Sequence, residues 1–156
     1  MRIVVDAYGG DNAPLEIIKG AADASNQFGC EITLTGNQAE IEKIIAENKL
    51  TFNGNLIIVD TDDVISMHDD PTTILKSHSD SSMALAFKEL CEERADAFVS
   101  AGSTGAIVVG GTLIVKRIKG IKRPALAGLI PSPDSHYMLM DMGANAECRP
   151  EMLAQF

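Results

Sequence analysis

The chain has 156 residues, 46% of them hydrophobic and 22% charged, with a formal net charge of −9. That length supports one sizeable core burying roughly two-thirds of the unfolded surface, and the composition is that of globular proteins. The acidic balance argues against a general nucleic-acid binder, which needs a basic face, but small anions stay open because backbone dipoles bind them whatever the net charge.

Met1-Arg2 leads directly into Ile3-Val4-Val5, with no signal-peptide pattern. Ile3 to Asp6 reads as a short buried strand. Pro14 then opens a helix through Leu15, Ile17, Ile18 and Ala21 that closes near Gly29. Glu31 to Thr35 alternates as a second strand. Asn37 with Glu40 resembles a capping box for a helix carrying Ile41, Ile44 and Ile45. Leu56 to Val59 is a third strand, and residues 60 to 72 are a polar, proline-punctuated loop. Asp80 or Ser81 caps a helix whose inner face holds Met83, Leu85, Ala86 and Leu90. Ala97 to Val99 is a fourth strand, followed by a helix from about Thr104 to Ile118. Gly105 to Val115 is the longest apolar stretch, far short of the ~20 residues a membrane span needs, so it reads as a buried helix.

The alternation then changes. Ala125 to Ile130 and Tyr137 to Met140 are separated only by Pro131-Ser132-Pro133-Asp134-Ser135, too short for a crossover, so they should pair antiparallel. The expected fold is three-layer α/β with a mixed, mostly parallel sheet. Pro150-Glu151 starts a helix that the chain leaves after under two turns, with Met152, Leu153 and Phe156 undirected. The expectation is a chain that ends inside a domain, with an incomplete sheet.

Three glycine-rich turns follow apolar strands: residues 6–12, 100–105 and 141–145. Loops at the carboxyl ends of strands in an open α/β sheet line a common crevice. Glycine lets N–H groups approach a ligand, and an adjoining helix start adds a positive dipole end, a combination that suits phosphate. In the first turn Gly9 and Gly10 bring backbone close, Asn12 can cap the Pro14 helix, and Asp6 and Asp11 are left to orient a substrate or a cation. In the second, Gly102-Ser103-Thr104-Gly105 offers two hydroxyls and a run of N–H groups. It lacks the lysine of a Walker A loop and the dinucleotide fingerprint. In the third, Asp141 and Asn145 could hold a hydroxyl or amine and polarise a carbonyl. Phosphate is expected at Ser103-Thr104-Gly105, with Asp141 and Asn145 across the crevice. Ordinary turns and helix caps are the alternative for each.

His68, His78 and His136 show no converging metal-ligand pattern, and no cofactor is implied. Cys30, Cys91 and Cys148 fit reduced cytosolic thiols better than a disulfide framework. Lys116, Arg117, Lys119, Lys122 and Arg123 place five cations within eight residues. They read either as a helix end complementing its dipole or as a docking patch for an acidic partner or anionic lipid.

Together these residues resemble the bacterial phosphate acyltransferases of phospholipid synthesis, the PlsX family. The resemblance rests on Val5 to Pro14, Asp80-Ser81-Ser82-Met83, Ala95 to Ala106, Lys122 to Ala127, and Asp141 to Glu151 with Gln155-Phe156. It implies transfer of a fatty acyl group from acyl carrier protein to inorganic phosphate. It also implies a fold like isocitrate and isopropylmalate dehydrogenases, a homodimer, and a cytoplasmic enzyme with peripheral membrane association through a C-terminal region absent here. Asp141, Asn145 and Ser103 would then be catalytic. Gly9, Gly10, Asp11, Gly102, Ser103, Thr104 and Gly105 would bind phosphate, and the five cations would dock the carrier. Tyr8 stands where the family usually has methionine, and Lys76-Ser77-His78-Ser79 where it commonly has a basic run. The family is about twice this length. The competing readings are a phosphotransacetylase-like enzyme using acyl-CoA, a dehydrogenase of the related fold, and a non-catalytic module that binds acyl carrier protein.

Overall fold

β-branched residues crowd the first strand, and the pairing that follows from them organises the first 115 residues. The computed structural model describes Met1–Phe156, which form two compact units, Met1–Val115 and Lys116–Phe156. In the first unit, β1 (Arg2–Asp6), β2 (Glu31–Gly36), β3 (Leu56–Asp60) and β4 (Ala97–Val99) make a parallel sheet in the order β3-β2-β1-β4. Val4 lies between Thr33 and Phe98, and Val5 between Leu34 and Val99. Successive side chains point to opposite faces, so each strand serves two cores.

On one face, Val5, Ile32 and Leu34 pack with Ile18 of helix α1 (Leu15–Phe28) and Ile41 of α2 (Gln38–Glu47). On the other, Val4 and Phe98 meet Ala86 of α3 (Ser82–Cys91). Met83 and Phe87 of α3 also pack there with Ala106 of α4 (Thr104–Gly110). Burial on both faces is the usual condition of a parallel sheet. The first unit is therefore three-layer α/β.

The helix starts follow local chemistry. Asn37 accepts from the Glu40 N–H at 2.8 Å, and Ser81 caps α3 by accepting from Ala84 N–H at 3.3 Å. The Glu40 carboxylate completes no reciprocal box; it accepts the Tyr8 hydroxyl instead. α1 ends at Gly29, whose φ of 64° suits glycine. At the end of α3, buried Glu89 takes Arg94 Nε at 2.8 Å and Nη2 at 2.5 Å, a forked pair that fixes the turn into β4.

Several expectations need correcting. Asn12 does not cap α1 with its side chain; Pro14 occupies the cap position, and Asn12 contributes its carbonyl to Glu16 N–H. Leu85 and Leu90 are only partly buried, whereas Ala84 and Phe87 are buried. The helix from Thr104 stays α-helical only to Gly110 and continues as a π-helical stretch, Gly111–Lys116. Within the expected loop, Pro71–Leu75 forms a 3₁₀ turn started by the Asp70 side chain, which accepts from Thr72 N–H.

The second unit contains β5 (Ala127–Ser132) and β6 (Ser135–Met140), an antiparallel hairpin that pairs Ala127 with Met140 and Ser132 with Ser135. A short helix, α5 (Pro150–Leu153), follows. The single mixed sheet is thus replaced by two sheets, one wholly parallel and one antiparallel. Hairpin strands satisfy each other's backbone groups and need no ladder to β1–β4. No helix is long and apolar enough to cross a membrane.

Helix α4 approaches α3 closely because position 110 has no side chain. A Cβ there would lie 2.2 Å from Phe87 Cε2, and that ring packs on Phe98 with centroids 4.7 Å apart. Gly110→Ala should destabilise the protein by about 1–3 kcal/mol through overpacking. Gly20→Ala in α1, where nothing lies within 4 Å of the added carbon, should instead stabilise it by about 0.5–1 kcal/mol. Urea denaturation of both variants checks the contrast.

Candidate functional site

The strand order makes β1 the central branch point. The chain steps from β1 to β2 to β3 on one side, then returns to place β4 on β1's other side. Loops leaving β1 and β4 therefore emerge from neighbouring carboxyl ends in opposite directions, the place where open α/β sheets hold ligands. Here these loops are Tyr8–Asn12 and Ser100–Ser103, the first two glycine turns.

The two loops touch. Gly9 is buried, and a Cβ on it would come within 2.6 Å of Ser100 Oγ, 2.7 Å of Gly102 N and 2.8 Å of Asp6 Oδ2. One on Gly102 would meet Gly9 Cα at 3.2 Å and Met83 Cε at 3.0 Å. These glycines bring backbone to backbone, where the sequence alone suggests only close approach to a ligand. Gly10, with φ 107°, lies against Ala101. Asp11 is exposed.

Ser103 is buried and caps α4, its Oγ accepting from Ala106 N–H at 3.3 Å. Its hydroxyl hydrogen has no acceptor, and Thr104 is exposed. As first-turn residues, Thr104 and Gly105 have N–H groups without partners inside the helix. Gly105 also receives the 3₁₀ turn: a Cβ there would sit 2.7 Å from Pro71 Cγ. Sequence reasoning missed this third wall because a proline-punctuated loop carries no periodicity.

It also missed Ser82 and Ser100. Asp6 is 2% exposed. Its Oδ1 accepts Ser82 Oγ–H at 2.7 Å and Tyr8 N–H at 3.2 Å, and its Oδ2 accepts Ser100 Oγ–H at 2.8 Å. Asp6 therefore faces the protein and is spent on its own loops. The signal available was a strand-end carboxylate with one serine opening an apolar helix and another following the fourth apolar strand. Tyr8 covers Gly36 with its ring, and burial and the neighbouring Glu40 raise its hydroxyl above the usual phenol range.

Asp141 and Asn145 lie in the second unit and form their own cluster. Asp141 Oδ1 accepts Leu126 N–H at 2.7 Å and Ala144 N–H at 3.2 Å; Oδ2 accepts Asn145 N–H at 2.7 Å and Nδ2–H at 3.0 Å. Asn145 Nδ2 also donates to Pro124 O at 3.2 Å. Both amide hydrogens are thus engaged, and polarising a carbonyl would require one of these bonds to be exchanged. Desolvation pushes the Asp141 carboxyl upward, but the donors from Leu126, Asn145 and Ala144 outweigh it and hold it below its ordinary range.

In the basic run only Lys116 belongs to the preceding helix; Arg117, Lys119, Lys122 and Arg123 follow it and are exposed. The dipole reading therefore covers one cation of the five. Arg117 donates to Lys122 O, and Lys122 N–H to Gln155 Oε1 at 2.9 Å. Lys122, Arg123 and Arg149 line an open cavity of about 470 Å³ with Glu147 and Glu151.

Fold and site define an open α/β protein with a glycine-lined loop cluster at its switch point. The chain belongs to the fatty acid synthesis protein family, whose model matches residues 1–156. It is similar to proteins named phosphate acyltransferase. That of Thermoanaerobacterium thermosaccharolyticum is 44% identical over 156 residues, all of this chain and 45% of the relative. Those of Heliobacterium modesticaldum and Bacillus pumilus are 42% and 44% identical, again over all of this chain and covering 47% and 46% of their own lengths. The chain spans about half the length of these relatives.

Because its folded carboxyl titrates below its unfolded one, Asp141 stabilises the loop fully above about pH 4 and loses that contribution as pH falls through the lower, folded value. Asp141→Asn should therefore speed amide exchange at Leu126 and Asn145 at pH 7. The difference from wild type should shrink as the pH drops below about 4. Hydrogen exchange across that range measures it.

Proposed function

We propose that this chain is the phosphate-binding portion of an acyltransferase that moves a fatty acyl group from acyl carrier protein to inorganic phosphate. The observation that carries this reading is the meeting of two glycine loops at the sheet's switch point, beside the open first turn of α4, in a chain similar to phosphate acyltransferases.

The reaction asks little covalent chemistry of the protein. A phosphate oxygen attacks the thioester carbonyl, the tetrahedral oxyanion collapses, and the carrier thiolate leaves and takes up a proton. No Ser-His-Asp triad is needed, because phosphate is itself the nucleophile. The protein's tasks are to hold an anion in line and to stabilise developing charge. In this reading the Thr104 and Gly105 N–H groups, the Ser103 hydroxyl hydrogen and the Gly10-Asp11 backbone receive phosphate, while Gly9 and Gly102, whose N–H groups already donate to Asp6 O and Ser100 Oγ, hold the two loops together. Asp141 and Asn145 are the catalytic pair of this reading: Asp141 holds the 141–145 loop, and an Asn145 N–H now on Pro124 is the oxyanion donor. Lys116, Arg117, Lys119, Lys122 and Arg123 receive the acidic carrier.

In the full-length protein, Ser103→Ala with Asn145→Ala should lower turnover by roughly a hundredfold, the scale of losing oxyanion donors. Acyl-phosphate formation is measured with acyl-carrier and acyl-CoA donors in parallel. Unchanged turnover and phosphate saturation would reject the placement, and preference for acyl-CoA would reject the carrier as donor.

Reversing Lys119 and Lys122 to glutamate should slow carrier association and flatten its salt dependence. Stopped-flow binding at several ionic strengths reads this. Unchanged association would leave the cations without a docking role.

A further inference from the structure

The Asp6 carboxylate is the most enclosed charge in the first unit, and its partners come from three separate segments. Tyr8 N–H belongs to its own loop, Ser82 Oγ to the start of α3 and Ser100 Oγ to the loop after β4. All three are neutral donors, so no cation neutralises it. A buried carboxylate near a proposed anion site opposes the anion electrostatically, so what it contributes there lies in the donors it organises.

The Ser100 bond shows how it does so. Ser100 Oγ donates to Asp6 Oδ2 at 2.8 Å and accepts from Gly102 N–H at 3.0 Å. A hydroxyl that donates to a carboxylate is polarised and becomes a better acceptor. The sequence Gly102 N–H to Ser100 Oγ–H to Asp6 thus pins the peptide immediately before Ser103-Thr104-Gly105. Gly9 closes over it, since any side chain there would strike both Ser100 Oγ and Asp6 Oδ2. Ser82 shares the carboxylate but has no bond to Gly102.

We propose that Asp6, acting through Ser100, is a positioning residue that sets the Gly102–Gly105 turn for phosphate. This rests on the phosphate-site reading above. Asp6 touches no substrate in this role. Its negative charge fixes the direction of the Ser100 hydroxyl, and that direction fixes the Gly102 amide.

The test uses the full-length protein, inorganic phosphate as probe, and the Thr104 and Gly105 amide signals as readout. Phosphate should shift these signals saturably in wild type. Ser100→Ala should weaken that binding about tenfold, the scale of one lost hydrogen bond, and speed Gly102 amide exchange. Ser82→Ala should lower the melting temperature comparably yet leave phosphate affinity near wild type. Asp6→Asn should follow Ser100→Ala, and combining the two should add little to either alone. Wild-type phosphate affinity in Ser100→Ala, or equal weakening by Ser82→Ala, would overturn the proposal. Phosphate binding at these amides without acyl-phosphate formation would sink the acyltransferase reading and sustain the positioning role. No phosphate-induced shift at Thr104 and Gly105 would remove both.

Discussion

Parallel register is the constraint on which the first unit depends. β1 and β4 run side by side in the same direction, with Val5 level with Val99, so their exit loops must occupy adjoining space. Ordinary side chains would force those loops apart. Gly9 and Gly102 let them meet at backbone distance, and the small hydroxyl of Ser100 fits where a larger group would not. The contact then needs its polar atoms satisfied in a space almost closed to water. Asp6 supplies that by gathering donors from β1's own loop, α3 and the β4 loop, so one strand end anchors three segments.

The same geometry has an electrostatic side. Two of the first unit's arginines are engaged elsewhere: Arg2 pairs with Asp96 at the opposite strand ends, and Arg94 with Glu89 of α3. An anion arriving at Thr104 and Gly105 would meet backbone N–H dipoles and the Ser103 hydroxyl. Such a site positions the anion through direction more than through charge. That suits a nucleophile whose reactivity depends on keeping its own charge available.

Local signals carried most of the architecture. The Ile3-Val4-Val5 run, the Asn37 cap, the Ser81 cap and Gly29 each act within a few residues and are legible without tertiary information. What could not be read locally was which segments become neighbours. The strand spacing showed βα units but not that β4 returns to β1's free side. Hence the pairing of the first two glycine turns was a general expectation, and the Asp6–Ser82–Ser100 group was not foreseen at all. Hairpin spacing reveals which strands pair and says nothing about a third neighbour, so the antiparallel pair is legible in the sequence and its separation from the parallel sheet is not. The π-helical stretch after Gly110 has no periodic signature distinct from an α-helix over six residues. At Asn145 the residue type was compatible with polarising a carbonyl, and only the distances show its hydrogens already committed.

Tyr8 and Gly36 carry a consequence for the sequence's history. The tyrosine ring occupies the space where any side chain at position 36 would begin, with its Cε2 only 2.3 Å from an added Cβ. An aromatic at 8 and a side chain at 36 are therefore mutually exclusive in this backbone. In this backbone a side chain at position 36 would force the Tyr8 ring to move. A lineage that later lost the ring would regain the freedom to vary there, subject to Gly36's φ of 147°. Substitution at one site is thus conditional on the state of the other.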